Sequence, residues 1–178
     1  MDLSKVTNIF KSAIARNKKT PPPVPEAVWQ NPLYFLAFGL GSGAMPFAPG
    51  TFGTLMAIPF YLALRSLPLT AYIIFVIAFF ALSAYLCDRL SREIHVHDHP
   101  GMCIDEFAGF FVTMINAPHG VGWIILGFIL FRIFDIWKPW PIGLIDEKVT
   151  GGVGMVLDDV VAGLFSCAII QILSLVLG

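Results

Sequence analysis

The chain has 178 residues, enough for one domain, and a formal net charge of −1. It is 57% hydrophobic and only 13% charged, where a soluble domain carries about 25% charged residues, and its mean hydropathy is +0.78. That balance points to an integral membrane protein, and no long basic run with interleaved aromatics suggests a nucleic-acid partner.

In chain order, residues 1–31 form a polar, basic, proline-rich tail (Pro21, Pro22, Pro23, Pro25) without a signal-peptide pattern. It reads as a solvated cytoplasmic tail or as an interfacial helix, with Ile9, Phe10 and Ile14 beside Lys11, Arg16, Lys18 and Lys19. Residues 32–178 read as the membrane domain. Residues 32–40 are apolar but short. They run into GSGAMPFAPGTFGT at 41–54, whose four glycines and two prolines exclude an ordinary transmembrane helix. Two uses fit that loop: backbone N–H groups turned toward an anion, or a re-entrant turn that packs helices. It lacks the lysine of a nucleotide-binding P-loop.

Residues 55–67 form an apolar segment broken by Pro59, short of the ~20 residues a span needs. Residues 70–87 read as a full span. Residues 88–105 are polar and hold His95, His97 and His99, read as surface histidines in preference to a zinc site. Residues 107–116 are apolar but short, 117–120 form a turn, and 121–136 are almost a full span. Residues 131–163 are unusually charged for this chain, with Asp135, Asp146, Glu147, Asp158 and Asp159. Residues 160–177 form the last span. The reading is all-α: a multi-pass helical membrane protein with about four to five transmembrane or partly inserted helices and polar cytoplasmic loops.

Five crossings with the tail inside place the loops at 41–54, 88–106 and 132–159 on one face. Ten of the 11 Lys and Arg residues then lie inside, in accord with the positive-inside rule, and only Arg65 lies outside. Every carboxylate falls on the same face. Ionisable groups beside or within spans are costly and mark a functional site. The candidates are Asp105 and Glu106 at the mouth of an apolar segment, and Arg132 and Asp135 three apart on one helix face, with Lys138 close by. Asp158 and Asp159 open the last span after a glycine-rich turn. Gly163, four residues beyond Asp159, would let another helix approach that carboxylate. Taken singly, Asp105 and Asp158 could be helix caps, and Arg132–Asp135 a structural ion pair. Carboxylates converging from three loops suit a hard, oxygen-seeking cation, Mg2+ rather than zinc, and Arg132 and Lys138 suit phosphate oxygens. A phosphorylated lipid headgroup at the inner interface meets both requirements. Asp146, Glu147 and Lys148 read as solvated loop. Cys87, Cys103 and Cys167 are scattered, lack an activating base and suggest neither a disulfide framework nor a nucleophile.

Four segments in order resemble bacterial phosphatidylglycerophosphatase A over roughly residues 34–170: GSGAMPFAPGTFGT at 41–54, IDEFAG at 104–109, FRIFDIWKPWPI at 131–142 and GGVGMVLDDVVAG at 151–163. The resemblance implies a multi-pass enzyme of the bacterial inner membrane, with a cytoplasm-facing site. Its expected reaction is Mg2+-dependent hydrolysis of phosphatidylglycerophosphate to phosphatidylglycerol and phosphate. It carries over Asp105, Glu106, Arg132, Asp135, Lys138, Asp158 and Asp159 as site candidates, without dividing the carboxylates between metal ligand and base. The chemistry expected of them puts the metal on Asp105, Glu106, Asp135, Asp158 and Asp159, a catalytic base among Asp105, Glu106, Asp135 and Asp159, and the phosphate on Arg132, Lys138, Thr51 and Thr54. The family often has two aspartates before a proline upstream, where this chain has Asp98-His99-Pro100, so position 99 is left outside the core site. A divalent-cation transporter would need ionisable groups at mid-membrane or on both faces. A headgroup transferase would need a nucleotide-binding site, and no motif supplies one.

Overall fold

The computed structural model describes residues 23–96 and 99–177. The amphipathic part of the tail (Ile9 to Lys19), His97 and Asp98 lie outside the described residues. Among the described residues every regular element is a helix, with no strand. The helices are α1 (Pro32–Ala37), α2 (Pro49–Leu64), α3 (Leu69–Ile94), α4 (Ile104–Thr113), α5 (Val121–Trp137), α6 (Ile142–Lys148) and α7 (Gly151–Leu177). Short 3-10 turns at Glu26–Trp29 and Gly39–Ala44 flank α1. Two helices, α3 and α7, are long and apolar enough to cross a membrane, and α2 is apolar but shorter. Many large apolar side chains face outward, among them Ile74, Ile77, Ile125, Leu164 and Ile172, a surface that suits lipid better than water.

The short helix α4 is the centre. Its buried residues run without a gap from Phe107 to Thr113, and it packs most extensively on α7 and next on α2 and α3. Phe107, Phe110 and Phe111 form edge and tilted contacts with Phe60, Tyr61, Phe75 and Phe79. Where lipid surrounds the helices, burial gives little drive, and close packing of small residues has to hold them together. The α4–α7 crossing meets that need. A Cβ on Gly163 would collide with the Gly109 carbonyl, and a Cβ on Gly109 would meet the Asp159 carbonyl and the Phe131 ring. The close approach expected at Gly163 is therefore present, with Gly109 opposite it.

Three sequence expectations are corrected. Residues 41–54 are not one loop: Pro49 begins α2, since a proline at the first helical position lacks only an N–H that would be unpaired there. Gly50 and Gly53 then serve contact rather than turning, because Cβ atoms there would meet Glu106 and Cys103. Pro59 does not break α2, which continues to Leu64. The last helix begins at Gly151, nine residues before the expected start. Gly151 opens it with a left-handed φ of 79°, and Gly152 within it serves close contact, since a Cβ there would strike the Ala84 carbonyl of α3. Asp158 and Asp159 are therefore interior helix residues, and Asp105 is no cap either, since Cys103 occupies that position.

The starts of α2, α4 and α7 and the end of α5 gather at one end of the molecule around a cavity of about 390 Å3. At the other end Arg65, Leu67, Leu69, Asn116 and His119 share a smaller cavity of about 200 Å3. Gly163→Leu should lower the melting temperature in detergent by the equivalent of about 1–3 kcal/mol, the usual cost of overpacking. Gly122→Ala, where an added Cβ meets nothing within 4 Å, should leave it unchanged. Equal melting temperatures for the two variants would show that the α4–α7 crossing is not tight.

Candidate active site

The first turn of α4 presents Asp105 and Glu106 where the helix dipole favours negative charge. The Glu106 N–H donates to Asp105 Oδ1 at 3.0 Å, fixing that carboxyl group. Helix α5 supplies Arg132 and Asp135. They share a face, and Arg132 Nη1 reaches Asp135 Oδ2 at 2.6 Å and Glu106 Oε1 at 3.8 Å. Both ends of the 2.6 Å pair are about seven-eighths buried. The buried Thr54 hydroxyl donates to the Gly50 carbonyl at 2.9 Å and accepts from Arg132 at 3.4 Å, so Thr54 braces the guanidinium. Lys138 ends α5 in the left-handed conformation, φ 44°. Its Nζ sits 2.8 Å from Asp146 Oδ1 and 2.7 Å from Asp158 Oδ2.

One oxygen each from Asp105, Glu106 and Asp159 lies within 4.8 Å of the others. Burial pushes the Asp105 carboxyl well above the usual carboxylate range, and the Glu106 charge beside it adds to the rise. Burial also raises Glu106; the hydrogen bond from Asp105 and the Arg132 charge oppose this, and Asp135 reinforces it. Burial works against the Lys138 charge, but its hydrogen bonds to Asp146 and Asp158 outweigh that and hold its pKa above the ordinary lysine value.

Whether these residues fit a metal can be judged from their unmet hydrogen-bonding capacity. Among the described residues, five buried side-chain polar atoms have no partner, and four belong to this cavity. Glu106 Oε2 and Asp158 Oδ1 are acceptors without a donor, while Arg132 Nε and His99 Nε2 are donors without an acceptor. Buried polar groups are normally paired. Free acceptors beside three crowded carboxyl groups suit a divalent cation with oxygen ligands. Free donors beside them suit an anion.

The cavity brings together all seven charged residues expected from the sequence: Asp105, Glu106, Arg132, Asp135, Lys138, Asp158 and Asp159. Thr54 joins them only through Arg132, and Thr51 does not line the cavity. Two lining residues with polar side chains were not expected. Asp146 is solvent-exposed, as expected, but it lies on α6 rather than in a loop and pairs with Lys138, a partnership across a turn that local spacing does not reveal. His99 is not a surface histidine but is buried at 2% exposure. Its sequence signal was its place in Asp98-His99-Pro100, just upstream of the motif at 104–109. His95, by contrast, is exposed at the end of α3.

The family described as Phosphatidylglycerophosphatase A matches residues 35–174. A relative from Escherichia coli named Phosphatidylglycerophosphatase A is 43% identical over 141 residues, covering 79% of this chain and 82% of the relative. One of the same name from Haemophilus influenzae is 39% identical over 142 residues, covering 79% and 87%. A third, from Bacteroides thetaiotaomicron, is 36% identical over 148 residues, covering 79% and 92%, and carries the provisional name phosphatidylinositol-3-phosphatase. No solved structure matches the chain.

The raised carboxyl pKa values fix the sign of a pH effect. Without a divalent cation, the folded state holds protons that the unfolded chain releases above about pH 4. Stability should therefore fall as pH rises from there through the raised values of Asp105 and Glu106. A bound cation takes the place of the proton, so its stabilising effect should grow over the same window. At 100 times its dissociation constant it should add about 2.7 kcal/mol near neutral pH and little in acid. Thermal unfolding with and without cation at several pH values checks this, and an equal effect at all pH values would contradict it.

Proposed function

Because the chain belongs to the phosphatidylglycerophosphatase A family, we propose that it hydrolyses phosphatidylglycerophosphate to phosphatidylglycerol and inorganic phosphate. It does so with Mg2+, at the cytoplasmic face of a bacterial inner membrane. The observation that carries this reading is the paired deficit in one cavity: acceptors that lack a cation beside donors that lack an anion. A metal ion and a phosphate monoester together supply both.

Asp105, Glu106 and Asp159 are the primary metal ligands, with Asp135 and Asp158 completing the set. Bound there, Mg2+ supplies Lewis-acid polarisation of a phosphoryl oxygen and acidifies bound water. The remaining work falls to the chain. Arg132, braced by Thr54, and Lys138, carried past the end of α5, neutralise the phosphate. Their carboxylate partners hold both cations in place before substrate arrives, so little reorganisation accompanies the rise of charge on the transferring group. One of the acidic residues Asp105, Glu106, Asp135 and Asp159 accepts the proton of the water that attacks phosphorus, and as the bond from phosphorus to the glyceryl oxygen breaks, that carboxyl group returns the proton to the leaving oxygen.

In the membrane, α3 and α7 cross, and α2, α5 and the ten-residue α4 insert wholly or in part, giving four to five embedded helices. Helix α4 is about 15 Å long and reaches only part way. The charged cavity lies at the cytoplasmic end with the tail, and Arg65 lies at the other. The gathering of the starts of α2, α4 and α7 with the end of α5 supports this arrangement.

Purified protein should release phosphate from phosphatidylglycerophosphate when Mg2+ is present and stop when it is chelated. A folded sample with no metal-dependent release would sink the reading. Preference for phosphatidylinositol 3-phosphate in the same assay would move the substrate assignment. Asp135→Asn should lower turnover by at least about 100-fold while the protein remains in the membrane fraction. Near-normal activity would remove Asp135 from the site.

A further inference from the structure

His99 lines the cavity from the segment between α3 and α4, at 2% exposure. Two contacts fix its ring. The Gly101 N–H donates to Nδ1 at 3.0 Å, and the Phe38 ring packs on the imidazole with centroids 5.2 Å apart. The first contact settles the tautomer. Nδ1 must offer a lone pair to the Gly101 amide, so the ring proton is on Nε2. A protonated Nε2 has no lone pair for a metal, which removes the usual role of a buried histidine beside carboxylates. It is a donor, and among the described residues it has no acceptor.

The other donors of this wall differ. Arg132 and Lys138 each hold two carboxylates by ion pairs. His99 contributes a neutral N–H, already oriented and desolvated, in a cavity dominated by negative charge. None of the carboxylates that line the cavity reaches this donor, so it stays available to an anion that enters.

We propose that His99 binds the substrate directly, donating its Nε2–H to a non-bridging oxygen of the phosphate monoester, as a third phosphate-binding residue beside Arg132 and Lys138. The inference rests on the phosphatase reading for the identity of the anion. It rests on the imidazole geometry alone for the donor.

The test separates the donor from the ring's structural part. In His99→Asn the side-chain oxygen can still accept the Gly101 N–H, but no donor reaches the Nε2 position. In His99→Gln the amide N–H reaches about where Nε2–H was. With Mg2+ present, His99→Asn should raise the inhibition constant for inorganic phosphate and lower kcat/KM by about 10- to 100-fold, and His99→Gln should recover most of both. Wild-type values in His99→Asn, or a His99→Gln as impaired as His99→Asn, would overturn the proposal and leave His99 a packing residue. A mutation-free measurement covers the case in which a variant does not fold. In wild-type protein with 15N-labelled histidine, inorganic phosphate with Mg2+ should shift one buried Nε2–H signal. If no histidine ring responds to phosphate at saturation, the proposal fails. Should wild-type protein bind phosphate through such a signal yet release none from the lipid, the donor assignment stands and the phosphatase reading falls.

Discussion

The contact between Gly109 and Gly163 is the constraint on which the rest of the structure depends. It lets the α4 and α7 backbones approach until a Cβ on either would collide with the other. Asp159 lies one turn before Gly163, and Asp105 lies one turn before Gly109, so the same crossing carries their carboxyl groups together. The consequence is electrostatic. Two full negative charges at 4.8 Å repel by about 3–4 kcal/mol at an effective dielectric near 20. Three such pairs approach the whole stability of a small domain, about 5–15 kcal/mol. The packing therefore imposes a charge problem that the protein must resolve with protons, cations or both.

Part of the answer is built in. Arg132 and Lys138 each bridge carboxylates from different helices, so each ties two helices together while offsetting charge. Arg132 sits on the same helix as Ile129, Ile133 and Ile136, whose side chains face outward, yet its guanidinium turns inward to Glu106 and Asp135. The apolar face and the charged face of α5 are thus separated by rotation rather than by length. Burial is the other part, since it raises the Asp105 carboxyl and so disfavours its charge.

Much of this was legible in the chain. The helix at 121–137 and its neighbours follow from runs of apolar residues, and the seven charged residues gathered at the cavity follow from their rarity in such a chain. What escaped is instructive. Glycine was read as turn throughout 41–54 and 151–154; Gly41 and Gly151 do turn the chain with positive φ, but Gly50 and Gly152 serve close helix contact, against Glu106 and Ala84. Local sequence cannot separate these uses, because the deciding neighbour is 56 residues away for Gly50 and 68 for Gly152. Asp146 was missed for a related reason, since its partner lies across a turn. His99 was left outside the core site because the family often has aspartate at that position and because a histidine in a polar segment reads as exposed; the packing of Phe38 and the Gly101 amide reveal its burial.

The remaining imbalance bears on how the site fills on the proposed reading. Six carboxyl groups line the cavity against two fixed cations. An anion entering alone meets a net negative field and is repelled. A cation entering alone relieves the carboxylates but leaves Arg132 Nε and His99 Nε2 without acceptors. Each ligand thus lowers the cost of the other, and by linkage the enhancement is the same in both directions. Cooperative filling of this kind would let a cavity of one predominant sign select a phosphate monoester that arrives with its counter-ion. It would also disfavour free carboxylates and diesters, whose single charge matches the metal less well.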